Sequence, residues 1–175
     1  QVTQNECIAD ATEHWRRNKG RCNGSMYWQL NDCWGVCSWS SIDYYGNYKA
    51  LQYGARHFNA PVSVSIENTE EYIKLFVLND LKEKQDVTVT YDIFDFVSGT
   101  KQSDKKDVSI DAVKNELVFE LDVKSLAKAY DLKRTGVAVK LFKNGELLQQ
   151  KTVLFDKEKK LDLPKAKLKT RIEIK

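Results

Sequence analysis

Cysteine and proline are scarce in this sequence, and the few cysteines are unevenly placed. Two prolines occur in 175 residues, and all four cysteines lie before residue 40. The cysteines form no CxxC pair and have no histidine at ligand spacing, which argues against a zinc site. Cys22 and Cys33 would flank one extended strand, about 35 Å apart and beyond disulfide reach, although Cys33 and Cys37 could close a small loop. Free thiols and a cytoplasmic location are the simpler expectation.

A long apolar run and a charge excess of one sign are also missing. No apolar segment approaches the roughly 20 residues that cross a bilayer, so no membrane partner is expected. The 28 Lys and Arg against 25 Asp and Glu leave a net charge of +3, and no basic block is interleaved with aromatic residues, so no nucleic-acid partner is expected either. Because the chain begins without Met, at the approach to a helix, we expect a piece of a longer protein.

Two halves of different character make up the chain. All four Trp lie before residue 40 and five of the eight Gly before residue 60, whereas the remainder is rich in Lys, Asp, Val and Leu. We place the boundary near Phe58–Pro61.

The first half predicts a helix, a buried strand, a long loop and a second helix. Thr3 to Glu6 form a capping-box pattern, apolar residues then recur at helical spacing, and Asn18 to Gly20 supply a stop. Residues 24–30 are largely apolar and bounded by turn residues, as in a fully buried strand. Asn47 can cap the second helix, which has to end before Pro61. Such a unit of an α/β barrel or doubly wound sheet needs neighbouring units to cover its strand.

The second half alternates between apolar and polar residues. About seven strands are expected, with apolar positions at Val62, Val64, Ile66, Ile73, Leu75, Val77, Val87, Val89, Tyr91, Ile93, Val118, Leu121, Val137, Val139, Leu141 and from Leu147 to Leu154. Turns at Ser98-Gly99 and Asn144-Gly145 separate several of them, and Ser125 to Tyr130 predict one helical turn. This profile is typical of an immunoglobulin-like sandwich. A charged linker follows at 157–167, and residues 168–174 alternate as the first strand of something further.

Four stretches of the sequence carry a resemblance to a known family. They are Arg21 to Trp34 (RCNGSMYWQLNDCW), Ser38 to Tyr44 (SWSSIDY), Lys49 to Tyr53 (KALQY) and the exit Phe58 to Pro61 (FNAP). Their order and spacing closely resemble β-mannosidases of glycoside hydrolase family 2, over residues 4 to about 62. In that family this segment is the last strand and helix of the (β/α)8 barrel, and it leads into an immunoglobulin-like domain.

The resemblance implies a mixed fold in three parts. Residues 1–60 would be the terminal segment of a (β/α)8 TIM barrel, 61–156 an immunoglobulin-like antiparallel β-sandwich, and 157–175 a linker with the first strand of a truncated second such domain. The implied activity of the parent protein is retaining hydrolysis of terminal, non-reducing β-D-mannose residues. That chemistry needs two carboxyl groups about 5 to 5.5 Å apart. The resemblance places both glutamates upstream of Gln1, so the fragment itself is expected to be inactive.

The resemblance also implies where a sugar would bind. Trp28 matches the aromatic wall of the mannose-binding subsite, where a ring face packs on the C–H groups of a sugar. Asn31, Asp32 and Trp34 follow and could line the mouth, although Asp32 could instead hold its loop by bonding backbone N–H groups. The implied partners are a β-mannoside or mannose-containing oligosaccharide and the rest of the catalytic barrel. No catalytic residue, metal or cofactor is implied, and periplasmic or lysosomal locations occur among relatives.

Two alternatives stay open. The sandwich could be a non-catalytic carbohydrate-binding or scaffolding module. Residues from 62 onward contain no Trp, however, and most of their aromatic residues hold positions expected to face the core, which favours a role in buttressing the barrel. Alternatively, the barrel segment without its neighbours exposes a large apolar surface and could associate, disorder or swap.

Overall fold

The computed structural model describes residues 1–166 and 169–171, and it places two helices against one side of a two-sheet sandwich. The elements in chain order are α1 (Val2–Arg17), α2 (Ala50–Phe58), β1 (Val62–Asn68), β2 (Tyr72–Asn79), β3 (Gln85–Asp95), β4 (Gly99–Ile110), β5 (Asn115–Asp122), α3 (Val123–Ala129), β6 (Thr135–Lys143), β7 (Glu146–Leu154) and a 3-10 turn at Glu158–Lys160. None of the helices in this described part has the length and apolar character needed to span a bilayer.

Antiparallel pairing joins the strands into a three-stranded sheet, β1-β2-β5, and a four-stranded sheet, β4-β3-β6-β7. Most apolar positions of the alternating pattern face inward from both sheets and form one core, whereas Leu147 and Leu148 of β7 are 48% and 41% exposed. Among the apolar positions of that pattern, those with 1% exposure or less are Val64, Ile73, Leu75, Val77, Val89, Ile93, Val137, Val139 and Leu141. The immunoglobulin-like antiparallel sandwich predicted from the sequence is therefore confirmed.

Strand β4 is the element that the alternating pattern did not indicate. Only Val108 and Ile110 are buried among its residues, both near its carboxyl end. The strand lies at the edge of its sheet and pairs with β3 alone. An edge strand rich in Lys and Asp resists pairing with another chain, which accounts for its polar composition.

The predicted buried strand at 24–30 is absent, and this prediction is wrong. Residues 18–49, all of them described, contain no helix or strand and only isolated bridges at Asn31, Ile42 and Tyr48. Met26 is 99% exposed and Trp28 is 72% exposed. An apolar strand needs neighbours on both sides for hydrogen bonds and on both faces for burial, and the described strands all belong to the sandwich. The (β/α)8 barrel segment is accordingly not visible as such in this chain.

The helix stop is confirmed and both predicted helix caps are wrong. Asn18 is the C-cap of α1, as predicted. At its other end α1 begins after Gln1 without a side-chain cap bond, so Thr3 is not a capping residue. Helix α2 begins after Lys49, and the predicted cap Asn47 instead donates from Nδ2 to Asp43 at 2.9 Å.

Several smaller predictions can be compared with the structure. The Asn144-Gly145 turn joins β6 to β7, and both residues have positive φ, 51° and 81°. Helix α3 forms at the predicted helical turn, with Asp122 accepting from the backbone N–H of Ser125 at 2.6 Å. The four cysteines are free thiols, so Cys33 and Cys37 close no loop. The strand predicted at 168–174 lies for the most part outside the described residues.

Gly136 on β6 packs under the ring of Phe94 on β3. A Cβ at Gly136 would lie 2.8 Å from Phe94 Cζ and 3.3 Å from the carbonyl oxygen of Val153. We therefore expect Gly136→Ala to lower the free energy of unfolding by about 1 to 2 kcal/mol through overpacking, measured by urea denaturation. Gly24→Ala is the matched control, because a Cβ there meets nothing within 4 Å. An equal loss in both variants would contradict the packing argument.

Candidate functional site

The predicted sugar-binding residues all lie in the irregular segment 18–49, between α1 and α2. Trp28 and Trp34 expose 72% and 64% of their surface, and Asn31 is also exposed. Asp32 differs from the other three, because it is only 4% exposed. The predicted site residues therefore lie in a loop instead of at a strand end, with exposed rings on either side of a buried carboxylate in the sequence.

The backbone of this segment is held by pairing with itself. The N–H of Ile42 donates to the carbonyl of Leu30 at 2.8 Å, and the N–H of Asp32 donates back to the carbonyl of Ile42 at 3.1 Å. The N–H of Lys49, at the start of α2, donates to the carbonyl of Ser41 at 2.9 Å. Three stretches of the loop are thereby brought side by side and connected to a helix.

Two fully buried serines, Ser40 and Ser41, lie in the middle stretch of the loop. The hydroxyl of Ser41 lies 2.9 Å from the carbonyl oxygen of Leu30 and 2.8 Å from Oε1 of Gln52 on α2. The ring of Tyr27 packs edge-on against Phe58 of the same helix, with centroids 6.4 Å apart. The residues before and after Trp28 are thus tied to α2, whereas the indole of Trp28 is exposed.

Asp32 forms an ion pair inside the loop. Its Oδ2 lies 3.0 Å from Nζ of Lys49, and its Oδ1 accepts a short hydrogen bond from the hydroxyl of Ser38. Hydrogen bonds from Ser38, and after it Ser40 and Lys49, hold the pKa of Asp32 below its usual range against the opposing effect of burial. The carboxylate is therefore ionised at neutral pH, and both oxygens are engaged by donors of the loop. A contact between Asp32 and substrate stays a prediction.

An exposed aromatic surface surrounds the predicted site residues in the sequence. We define it as Trp15, Trp28, Trp34, Trp39, Tyr44, Tyr45, Tyr48 and Tyr53, each of which is more than 40% exposed. In the described part of the sandwich, by contrast, the strongly exposed large apolar side chains are aliphatic, such as Val97 and Leu147. A concentration of exposed rings in the first third of the chain is typical of a surface that another protein part or a ligand covers.

Helix α1 joins this segment to the sandwich through its polar side. The residues that α1 buries are Thr12 and Glu13, whereas its apolar residue Trp15 is 41% exposed. Glu13 accepts from Nζ of Lys151 on β7 and, at 3.1 Å, from the hydroxyl of Ser65 on β1. Burial lowers the pKa of Lys151, and Glu13 opposes that shift. The ion pair with Lys151 and the hydrogen bond from Ser65 therefore link the helix to both sheets.

Arg16 forms a second link at the entry to the sandwich. Its guanidinium donates to the carbonyls of Phe58 and Ala60 at 2.5 and 2.7 Å, and to Asp80 at 2.8 Å. Lys19 also pairs with Asp80, at 2.5 Å. These bonds fix the connection between α2 and β1, which is where the sequence predicted the domain boundary.

A cleft of about 850 Å³ between α1 and the sandwich edge lies apart from the predicted site residues. Its acids include Asp10, whose pKa is raised by burial and by Glu13. Since Glu13 is occupied by Lys151, the two carboxylates do not form a free pair for glycoside chemistry. In residues 1–166 and 169–171, no group of three or more His, Cys, Asp or Glu could hold a metal ion.

Comparison with known proteins gives three kinds of similarity. Residues 71–160 match the family model described as "Mannosidase Ig/CBM-like domain". A β-mannosidase of Bos taurus is 48% identical over 69 residues, covering 35% of this chain and 8% of that protein. A β-mannosidase B of Thermothelomyces thermophilus is 44% identical over 71 residues, covering 38% of this chain and 8% of that protein.

A solved structure extends the similarity to the whole arrangement. The crystal structure of a β-D-mannosidase from Dictyoglomus thermophilum matches with a TM-score of 0.85 and 31% identity, over 94% of this chain and 20% of that chain. Coverage of that extent has to include most of the helices and the loop as well as the sandwich. The chain therefore spans about a twelfth of the length of the curated relatives above, and a fifth of the solved one.

Proposed function

The chain belongs to the Mannosidase Ig/CBM-like domain family, and from that premise we propose that it is part of a retaining exo-β-mannosidase of glycoside hydrolase family 2. In this proposal residues 1–60 complete the (β/α)8 barrel of the parent protein, and 61–156 form the accessory sandwich. The parent would hydrolyse terminal, non-reducing β-D-mannose residues in β-mannosides. A cytoplasmic location is proposed from the cysteine pattern alone.

The observation that carries the proposal is the match to the solved β-D-mannosidase over nearly the whole chain. A sandwich alone recurs in many unrelated proteins and would indicate little about function. Here the two helices and the irregular segment between them are part of the match. The aromatic surface supports the same interpretation, because the remaining barrel strands and helices would cover most of its rings.

In the proposed site Trp28 forms one wall of the sugar subsite, and Asn31 and Trp34 line its mouth. The exposed face of the Trp28 indole can pack on the C–H groups of a mannose ring, while polar groups fix the hydroxyls. The nucleophile and the general acid, two glutamates about 5 to 5.5 Å apart, would come from the part of the barrel outside residues 1–175. This chain then contributes substrate binding and support, and the rest of the parent contributes the chemistry.

The experiment compares residues 1–175 with the complete protein encoded by the same reading frame. We expect the complete protein to hydrolyse an aryl β-mannoside with release of the β-anomer, followed by nuclear magnetic resonance, and the 175-residue chain to show no turnover. Titration of the 175-residue chain with mannosides should give no saturable heat, because one wall of the subsite without the rest of the barrel does not hold a sugar. A carbohydrate-binding module would produce saturable heat. Turnover by the 175-residue chain comparable to that of the complete protein would overturn the proposal. A lack of turnover by both proteins would overturn it as well.

A further inference from the structure

We propose that Lys49 is a positioning residue for the proposed sugar site, because its buried ion pair with Asp32 holds the loop that carries Trp28 and Trp34. The effect of Lys49 on catalysis rests on the proposed function. The structural part of the inference concerns this chain alone and is tested separately.

The loop needs an anchor because its regular structure is slight. Residues 18–49, all described, contain no helix or strand, and the rings at Trp28 and Trp34 are largely exposed. Asp32 lies between these two residues in the sequence and is nearly fully buried. A buried charge requires a partner, so the position of this carboxylate is set by whatever binds it.

Lys49 supplies that partner from a rigid element. It is the N-cap of α2, two residues before Leu51, which is buried in the contact between the helices. Its ammonium has three donors, and the structure gives each a partner: Asp32 Oδ2 at 3.0 Å, Ser40 Oγ at 2.6 Å, and the carbonyl or hydroxyl oxygen of Ser38 at 3.5 Å. The side chain is thereby fully used in holding the loop.

The two serines close the arrangement into a ring. The hydroxyl of Ser38 donates to Asp32 and accepts from the backbone N–H of Ser40 at 3.1 Å. The hydroxyl of Ser40 accepts from Lys49 and lies 2.9 Å from the carbonyl of Ile42. Each member of the ring depends on the others, so the loss of one charge disturbs the whole loop.

Removal of Lys49 has a defined consequence. The Asp32 carboxylate would remain buried without a counter-charge, and the loop would have to open for water to reach it. Opening of the loop moves the backbone on both sides of Asp32, and this backbone carries Trp28 and Trp34. The expected defect is therefore weaker sugar binding, with the reacting carboxyl groups left in place.

The first arm of the test measures hydrogen exchange by mass spectrometry on the 175-residue chain. Lys49→Met should increase the exchange rates of peptides covering residues 29–43 about tenfold or more, and leave those of β2 and β3 unchanged. Lys49→Arg keeps the charge and should restore most of the protection. Lys74→Met is the matched control, because Lys74 pairs with a half-exposed Glu120 at 3.5 Å on the sandwich.

The second arm measures kinetics on the complete protein. We expect Lys49→Met to raise KM for an aryl β-mannoside about tenfold with kcat within threefold of the unsubstituted protein, since ground-state binding is what the wall provides. Lys49→Arg should return KM to within threefold, and Lys74→Met should change neither constant. If Lys49→Met precipitates, Asp32→Asn/Lys49→Met leaves no unpaired buried charge, but it still lacks the ammonium that bonds Ser38 and Ser40, so it should still show raised loop exchange.

The outcomes separate this inference from the proposed function. Unchanged exchange of residues 29–43 without Lys49 would overturn the positioning role whatever the activity. Faster exchange with an unchanged KM would overturn it as well. If the unsubstituted complete protein fails to turn over mannosides, the proposed function is wrong, and the exchange arm still decides whether Lys49 holds the loop.

Discussion

Replacement of Glu13 by alanine is expected to lower the free energy of unfolding of this chain by about 3 kcal/mol. Glu13 is 8% exposed and accepts from Lys151 and Ser65, which belong to different sheets. Without it the largely buried ammonium of Lys151 loses its ion-pair partner, which costs more than the loss of an exposed pair. Urea denaturation followed by circular dichroism measures the change.

The same variant should make stability depend more strongly on pH. Burial already lowers the pKa of Lys151 from 10.5, and Glu13 is the leading group that opposes the shift. Without Glu13 the folded-state pKa falls further below the unfolded one. Between these two values the unfolded state binds more protons, so stability rises with pH across that interval.

The loss of unfolding free energy in Glu13→Ala should therefore be largest at neutral pH. It should shrink as the pH approaches 10.5, the ordinary pKa of a lysine. Glu6→Ala is the control, since Glu6 lies on the same helix with an exposed side chain. Equal losses in the two variants, or a loss in Glu13→Ala that does not change with pH, would contradict the account.

In the proposed parent protein, the polar character of this contact would let the sandwich support the barrel. Helix α1 turns Glu13 and Arg16 toward the sandwich and leaves Trp15 exposed. Directional bonds fix an orientation, whereas an apolar contact of the same size tolerates sliding. The sandwich is thus suited to hold the helix, and through α2 the loop, at a defined angle to the rest of the proposed barrel.

The fold of the sandwich was largely predictable because short stretches of sequence indicate its strands and turns. Alternation at Val87 to Ile93 places every second side chain in the core, and the positive φ that Asn144-Gly145 adopts fixes one hairpin. Strand β4 was not predicted from the sequence, because an edge strand outside the core needs no alternating apolar residues. Its course is set by hydrogen bonds to β3, which the sequence of β4 does not reveal.

The first half was less predictable because residues 18–49 form an irregular segment instead of the predicted strand. The apolar run at 24–30 has the composition of a buried strand, yet residues 1–166 and 169–171 offer it no strand to pair with. Trp28 and Trp34 were predicted as sugar-binding residues from the family resemblance, because composition and spacing alone do not indicate a sugar site. The Asp32–Lys49 pair was missed because a lysine beside Asn47 and Tyr48 looks like a surface residue. Only the folded loop shows that its ammonium points inward.

Replacement of Trp28 by alanine in the complete protein is expected to lower kcat/KM for an aryl β-mannoside about 50- to 100-fold. A ring that stacks on a sugar removes on the order of 100 Å² of apolar surface from water, which at about 25 cal/mol/Å² is worth roughly 2.5 kcal/mol. At about 1.4 kcal/mol per tenfold change in rate, that energy gives the stated loss. Steady-state kinetics with a range of substrate concentrations measure it.

Two controls separate this effect from misfolding. In the 175-residue chain Trp28→Ala should leave the free energy of unfolding within about 0.5 kcal/mol, as expected for a side chain that is 72% exposed. In the complete protein Trp28→Phe keeps an aromatic face and should recover part of kcat/KM, because a smaller ring still packs on the sugar. Full activity of Trp28→Ala would show that Trp28 is not part of the sugar wall. Destabilisation of the 175-residue chain by Trp28→Ala would show that Trp28 has a packing role.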